Sequence, residues 1–153
     1  MKLVLCKFLQ KLTSIENHST NYDNIALDST RKLLFYINQS EREYSPNNKI
    51  LSETFKSCQL HLLKTISNII RNSRTSRSFV VKHSDLFKCI CGCLEFRMGF
   101  EVNIAALEVI LMLMRSNSIH INEPSLRTSI WFVLTSWIMQ DADLKRQKVI
   151  FLN

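Results

Sequence analysis

Apolar residues at Leu51, Phe55, Cys58, Leu62, Ile66 and Ile69 step along the chain by three and four for about five turns. That is the period of an α-helix with one buried side, and a strand, which alternates every second residue, cannot present it. Such a stripe must be laid against another layer of secondary structure. The rest of the sequence says which kind. Only 2 glycines and 2 prolines occur in 153 residues. Hairpins and tight turns consume those residues, so an all-β architecture would need many more. A hydrophobic fraction of 46% with 22% charged residues is that of a globular chain able to bury a core. The expectation is an all-α protein forming one domain over 1–153.

The same reading lays out seven helical segments. The first spans about 3–15, with Leu5, Phe8, Leu9 and Leu12 on one side, and the second about 23–38. A polar connector, 39–44, leads to a third helix whose start is marked by Ser45 and Pro46. Residues 72–78 read as a loop. A fourth helix runs over about 85–98 with Ser84 as its N-cap, and a fifth over 100–115, apolar nearly all round and so central. A sixth starts near Pro124 and a seventh near Asp141. Buried positions should include Leu62, Ile66, Ile69, Ile90, Leu94, Leu107, Ile110, Leu111 and Leu134. The aromatic residues Phe96, Phe100, Trp131, Phe132 and Trp137 read as core, but Trp131 and Phe132 lie partly off the inner stripe, so that one of them is expected to be exposed.

An internal correspondence appears when the chain is shifted by 44 residues. Leu63 falls on Leu107, Ile66 on Ile110, Ile69 on Leu113, Ile70 on Met114 and Arg71 on Arg115. The next helix keeps the offset, with Leu86 on Ile130, Ile90 on Leu134 and Leu94 on Ile138. Over 45–140 the chain thereby resembles the armadillo/HEAT type of helical repeat, whose period is about 40–47 residues. The resemblance implies a short α-solenoid: N-terminal helices in 1–44, two helix pairs in 45–140, and a C-terminal helix in 141–153. An irregular helical bundle is the alternative.

Function is read mainly from charge. The segment 54–84 holds six cations, Lys56, Lys64, Arg71, Arg74, Arg77 and Lys82, and no acid. The whole chain carries +7, so the remainder is close to neutral. Arginine stands at every third position of 71–77. Such a patch can meet an acidic protein surface or neutralise nucleic-acid phosphates. These six residues are the candidate binding site for a protein or nucleic-acid partner. Ser73, Thr75, Ser76 and Ser78 lie among them as hydroxyls open to phosphorylation.

Catalytic and metal chemistry find no footing. His18, His61, His83 and His120 are scattered, and no Gly-rich phosphate loop, HExxH motif or nucleophile elbow is present. The acid pairs Glu41/Glu43 and Asp141/Asp143 read as solvated charge. Cys89, Cys91 and Cys93 lie on a helix where Cys91 points away from the other two, and no CxxC pair exists. They read as packing thiols, with no cofactor implied. The longest apolar run, 104–114, is interrupted by Glu108 and falls short of a membrane span of about 20 residues. The start lacks the apolar core of a signal peptide, so the sequons at Asn17 and Asn38 carry no weight. The expected protein is an intracellular interaction or scaffold module, nuclear or cytoplasmic, with a nuclear nucleic-acid-associated helical protein as the alternative. Val149, Ile150, Phe151 and Leu152 at one end, and Leu3, Val4, Leu5, Phe8 and Leu9 at the other, are apolar where a helical stack needs a polar closing side. Self-association through the C-terminal apolar end is a further expectation.

Overall fold

A computed structural model describes residues 2–14, 20–44, 48–95 and 98–115, together with 128, 130, 131, 135 and 139. The chain divides into two compact units, Met1–His120 and Ile121–Asn153. The first carries six helices: α1 (Lys2–Thr13), α2 (Thr20–Tyr44), α3 (Lys49–Asn72), α4 (Arg74–Lys82), α5 (Ser84–Gly92) and α6 (Phe100–Arg115). No strand occurs among the described residues, and the fold is all-helical.

Helix α3 forms where the spacing predicts it, and it is the hub. It packs against α1, α2, α4 and α6. Asn48 caps its start, the side-chain oxygen accepting from the Leu51 amide at 3.0 Å, which satisfies one of the donors a helix leaves unpaired there. Phe55, Cys58, Leu62, Ile66 and Ile69 are buried as expected. Leu63 and Ile70, beside that stripe, are buried too. So are the polar Gln59 and Ser67, which lie off that stripe. With neighbours on several sides, a helix buries an arc wider than one stripe.

Contacts along the helices set their directions. Leu3 of α1 shares a cleft with Ile50, Glu53 and Ser57 near the start of α3, while Gln10 meets His61 further along both. Helices α1 and α3 therefore run parallel. Likewise Gly99 and Phe100 lie by Lys56 and Ser57, the Ser67 hydroxyl reaches Met112 Sδ at 3.7 Å, and Arg71 shares a cleft with Arg115. Helix α6 thus runs parallel to α3 on its other flank, at a register close to the 44-residue shift. A second layer is built the same way. Arg31 of α2 binds Asp85 at 2.5 Å, Asn38 Nδ2 donates to the Cys89 carbonyl at 3.0 Å, and Arg42 binds Glu95 just beyond α5 at 2.8 Å. Helices α2 and α5 are parallel, with the short α4 packed against both. These partners are 51 to 54 residues apart in sequence, a longer step than that between α3 and α6. The packing is compatible with a short helical stack or with a bundle.

Several boundaries differ from expectation. Residues 39–44 continue α2, and the turn they form is half inside: Ser40 and Glu41 are buried while Glu43 is exposed. The supposed loop 72–78 shrinks to Ser73. That residue ends α3 and caps α4, accepting from the Ser76 amide at 3.2 Å. A hydroxyl that can close one helix and open the next removes the need for a longer connector. The fourth predicted helix starts one residue early, with His83 at the cap position and no side-chain bond there. It stops at Gly92 rather than continuing to 98, and Cys93 turns its amide back to the Ile90 carbonyl at 3.1 Å. Gly99 adopts φ 87°, a left-handed conformation suited to glycine, which lets the chain enter α6. Helix α6 is less enclosed than predicted. Leu107 and Ile110 are buried, whereas Leu111 is exposed with Glu108 and Glu101 on the solvent side. Helix α3 covers one flank, and Leu111 projects from the uncovered arc.

The unit 121–153 is described only at Thr128, Ile130, Trp131, Thr135 and Met139, all helical. The Thr135 hydroxyl donates to the Trp131 carbonyl at 2.9 Å. Trp131 is exposed, in line with its place off the inner stripe. Leu134, Phe132, Trp137 and the apolar end 149–152 lie outside the described residues.

Candidate anion-binding face

Among the six basic residues singled out by sequence, Arg71 and Arg77 are brought together. Arg71 closes α3 and Arg77 stands in α4, and both line an open cleft of about 320 Å³ with Met112 and Arg115 of α6. The parallel course of α3 and α6 puts their C-terminal ends side by side. Cations are favoured there because the last carbonyls of a helix present partial negative charge. The Arg77 guanidinium uses that charge directly: Nε donates to the Ile70 carbonyl at 2.7 Å and Nη2 to the Arg71 carbonyl at 2.6 Å. It therefore closes α3 from the following helix. Among the described residues, none that lines the cleft is acidic.

The other four cations are dispersed. Lys64 is exposed on α3, two turns before Arg71. With Lys7 of α1 it bears on His61, whose ring burial, then these two ammonium groups, hold below the usual imidazole range. Arg74 and Lys82 are exposed at opposite ends of α4. Lys56 lies near the start of α3 against Gly99, and it pairs with Glu53 at 3.3 Å. Arg115 belongs to the cleft but was not among the predicted residues. Its signal was present, since the 44-residue shift places Arg71 upon it. Charge counting along the chain missed it because it lies outside the acid-free segment.

The hydroxyls nearby are unequal. Ser76 is fully buried and donates to the Ser73 hydroxyl at 2.8 Å. Ser73 is held as the cap, while Thr75 and Ser78 are exposed. Beneath the two helix layers runs a set of buried amides. Asn38 Oδ1 accepts from Gln59 Nε2 at 3.0 Å, and Asn103 Nδ2 donates to the Cys93 and Glu95 carbonyls at 2.7 and 3.1 Å. Gln59 and Asn103 coincide under the 44-residue shift and are both buried. Gln59 Oε1 is a buried oxygen without a partner.

Cys93 is fully buried, and burial pushes its thiol up to about 12. Cys89 and Cys91 are half-buried, and burial also raises Cys89. Cys6 and Cys58 are free, buried thiols in hydrogen-bond contact; that contact and then burial push Cys6 far above the usual thiol range. No group of three or more His, Cys, Asp or Glu among the described residues is placed to hold a metal ion. No helix among them is long and apolar enough to cross a membrane. Comparison of the chain with protein-family models, curated proteins and solved structures finds no match.

Proposed function

We propose that this chain is a non-enzymatic interaction module that holds an acidic segment of a partner protein over the C-terminal ends of α3 and α6. The observation that carries the reading is the meeting of Arg71, Arg77 and Arg115 in one cleft with no acid among its described lining residues. Lys64 extends the positive charge along α3 towards Lys7. Guanidinium groups suit this task because each presents a planar fork of donors to a carboxylate. A nucleic-acid backbone is the less favoured partner. It needs cations spaced along a stripe, whereas α6 exposes Glu108 one turn before Met112 and Glu101 two turns earlier. Those carboxylates would lie against a continuing polyanion, while a short acidic peptide can avoid them.

The test is fluorescence anisotropy of the purified chain with a labelled glutamate-rich peptide and with a labelled DNA duplex, each at roughly 50 and 200 mM salt. The peptide is expected to bind, and Arg71→Glu to weaken it by about tenfold or more, the loss that removing one well-paired charge produces. If the duplex binds more tightly, with a steep salt slope and with losses shared among Lys64, Arg74 and Lys82, the ligand is nucleic acid instead.

A further inference from the structure

The arginine cleft is a point of charge, and its stoichiometry narrows the anion. Three arginines, Arg71, Arg77 and Arg115, line one open space of about 320 Å³. A guanidinium has five N–H donors. Arg77 directs two of them to the Ile70 and Arg71 carbonyls, and its other N–H groups are free of those bonds. A single carboxylate offers two oxygens and one charge, which one arginine can satisfy in bidentate fashion. Two further guanidiniums would then face each other uncompensated. A phosphate monoester offers three terminal oxygens and close to two charges at neutral pH, a nearer match to three guanidiniums. Met112 supplies the apolar part of the lining, and its flexible thioether suits contact with an aliphatic stem. A phosphodiester carries one charge per unit and continues on both sides, which returns the chain to Glu108.

We propose that the Arg71–Arg77–Arg115 cleft receives the phosphorylated side chain of a phosphoserine or phosphothreonine in a partner polypeptide. This deepens the interaction-module reading and rests on it.

The experiment uses the full chain and three pools of labelled ten-residue peptides, degenerate in sequence, with phosphoserine, serine or glutamate at the centre. Anisotropy reads binding, and a thermal melt confirms that each variant is folded. The phosphoserine pool is expected to bind about tenfold or more tightly than the glutamate pool. Arg115→Gln is expected to remove about tenfold, and Lys88→Gln, exposed on α5, to change nothing. If Arg115→Gln does not fold, Arg71→Gln serves in its place. Inorganic phosphate at millimolar concentration is expected to compete only weakly. Equal binding of the phosphoserine and glutamate pools overturns the phosphate assignment and leaves the acidic-partner reading standing. Wild-type affinity in Arg115→Gln overturns the location. Competition by inorganic phosphate as strong as by the peptide shows a small-anion site and overturns the polypeptide. No binding by any pool removes this proposal and the interaction-module reading together.

Discussion

The two ends of the parallel pair α3 and α6 carry different chemistry, with α1 adjoining one end and α4 the other. Near the N-terminal ends, Glu53 and Glu101 lie with Lys56 around Gly99, and Lys56 is neutralised by Glu53. The adjoining cleft of Leu3, Ile50 and Thr54 is largely apolar. Near the C-terminal ends of α3 and α6, Arg71, Arg77 and Arg115 gather without a carboxylate among them. Helix dipoles account for the bases at the helix finishes, whereas among the starts of α1, α3 and α6 only that of α6 carries an acid in its first turn. They do not account for the imbalance. Parallel packing turns a one-helix preference into a local surplus, and only the C-terminal end leaves its surplus uncompensated. Helix-end stability therefore explains the bases at the C-terminal end, while the missing counter-charge among the described residues there is what supports the proposed contact surface.

The largest expected effect tests the frame that holds the two ends apart. Ile66 and Ile110 are fully buried in α3 and α6. Replacing either by alanine is expected to cost on the order of 2–5 kcal/mol in denaturant unfolding. A negligible loss at both would mean that the two helices do not share a core. Next comes the amide network. Asn38→Ala leaves Gln59 Nε2 only the weak Met98 Sδ acceptor at 3.4 Å, and is expected to destabilise by about 1–3 kcal/mol. The double change Asn38→Leu with Gln59→Leu removes both needs and should recover much of that loss. Failure to recover would show that shape, and not hydrogen bonding, governs the site.

The third comparison sets one end directly against the other. Arg77→Gln withdraws the guanidinium from the Ile70 and Arg71 carbonyls and is expected to lower stability by about 1 kcal/mol. Lys56→Gln, whose ion pair is at the surface, should stay within about 0.5 kcal/mol of wild type. Equal effects would erase the distinction between a helix-closing arginine and a surface lysine. The smallest effect lies in the second layer. Lys32 and then Arg31 hold the Asp28 carboxyl below its usual range, and Arg31 does the same for Asp85. A depressed folded pKa stabilises above the unfolded value of about 4 and is lost as pH falls through the folded one. Thermal melts from pH 5 to pH 3 should therefore show a decline that is shallower in an Arg31→Ala variant. An identical decline would place the acid sensitivity elsewhere.

The helical class and most of the core were legible because stripes such as Leu62, Ile66 and Ile69 repeat at a period that only a helix satisfies. The boundaries at 39–44 and 72–78 were not, for a physical reason. Polar residues there looked like connector, yet Ser40 and Glu41 are covered by neighbouring helices and a single serine suffices between α3 and α4. Leu111 misled in the opposite sense, because an apolar run does not show which flank lacks a neighbour. At the candidate site, Arg71 and Arg77 were found by charge, whereas Arg115 required the parallel packing of α3 and α6. The exposed Val4, Leu5 and Phe8 of α1 agree with the apolar character read at that end. The C-terminal counterpart, 149–152, lies outside the described residues.

Arg77 carries one more consequence. Because two of its donors are committed to backbone carbonyls, its plane is set by the junction of two helices and not by the rotamers of a free side chain. A ligand meeting that guanidinium freezes little that is not already frozen, so the entropic penalty of binding falls chiefly on Arg71 and Arg115. The same ligand would also restrain the last turn of α3, and the Ile70 and Arg71 segment should show slower amide hydrogen exchange when the cleft is filled. Recognition at the proposed cleft and helix closure would in this way be one equilibrium, observable from either side.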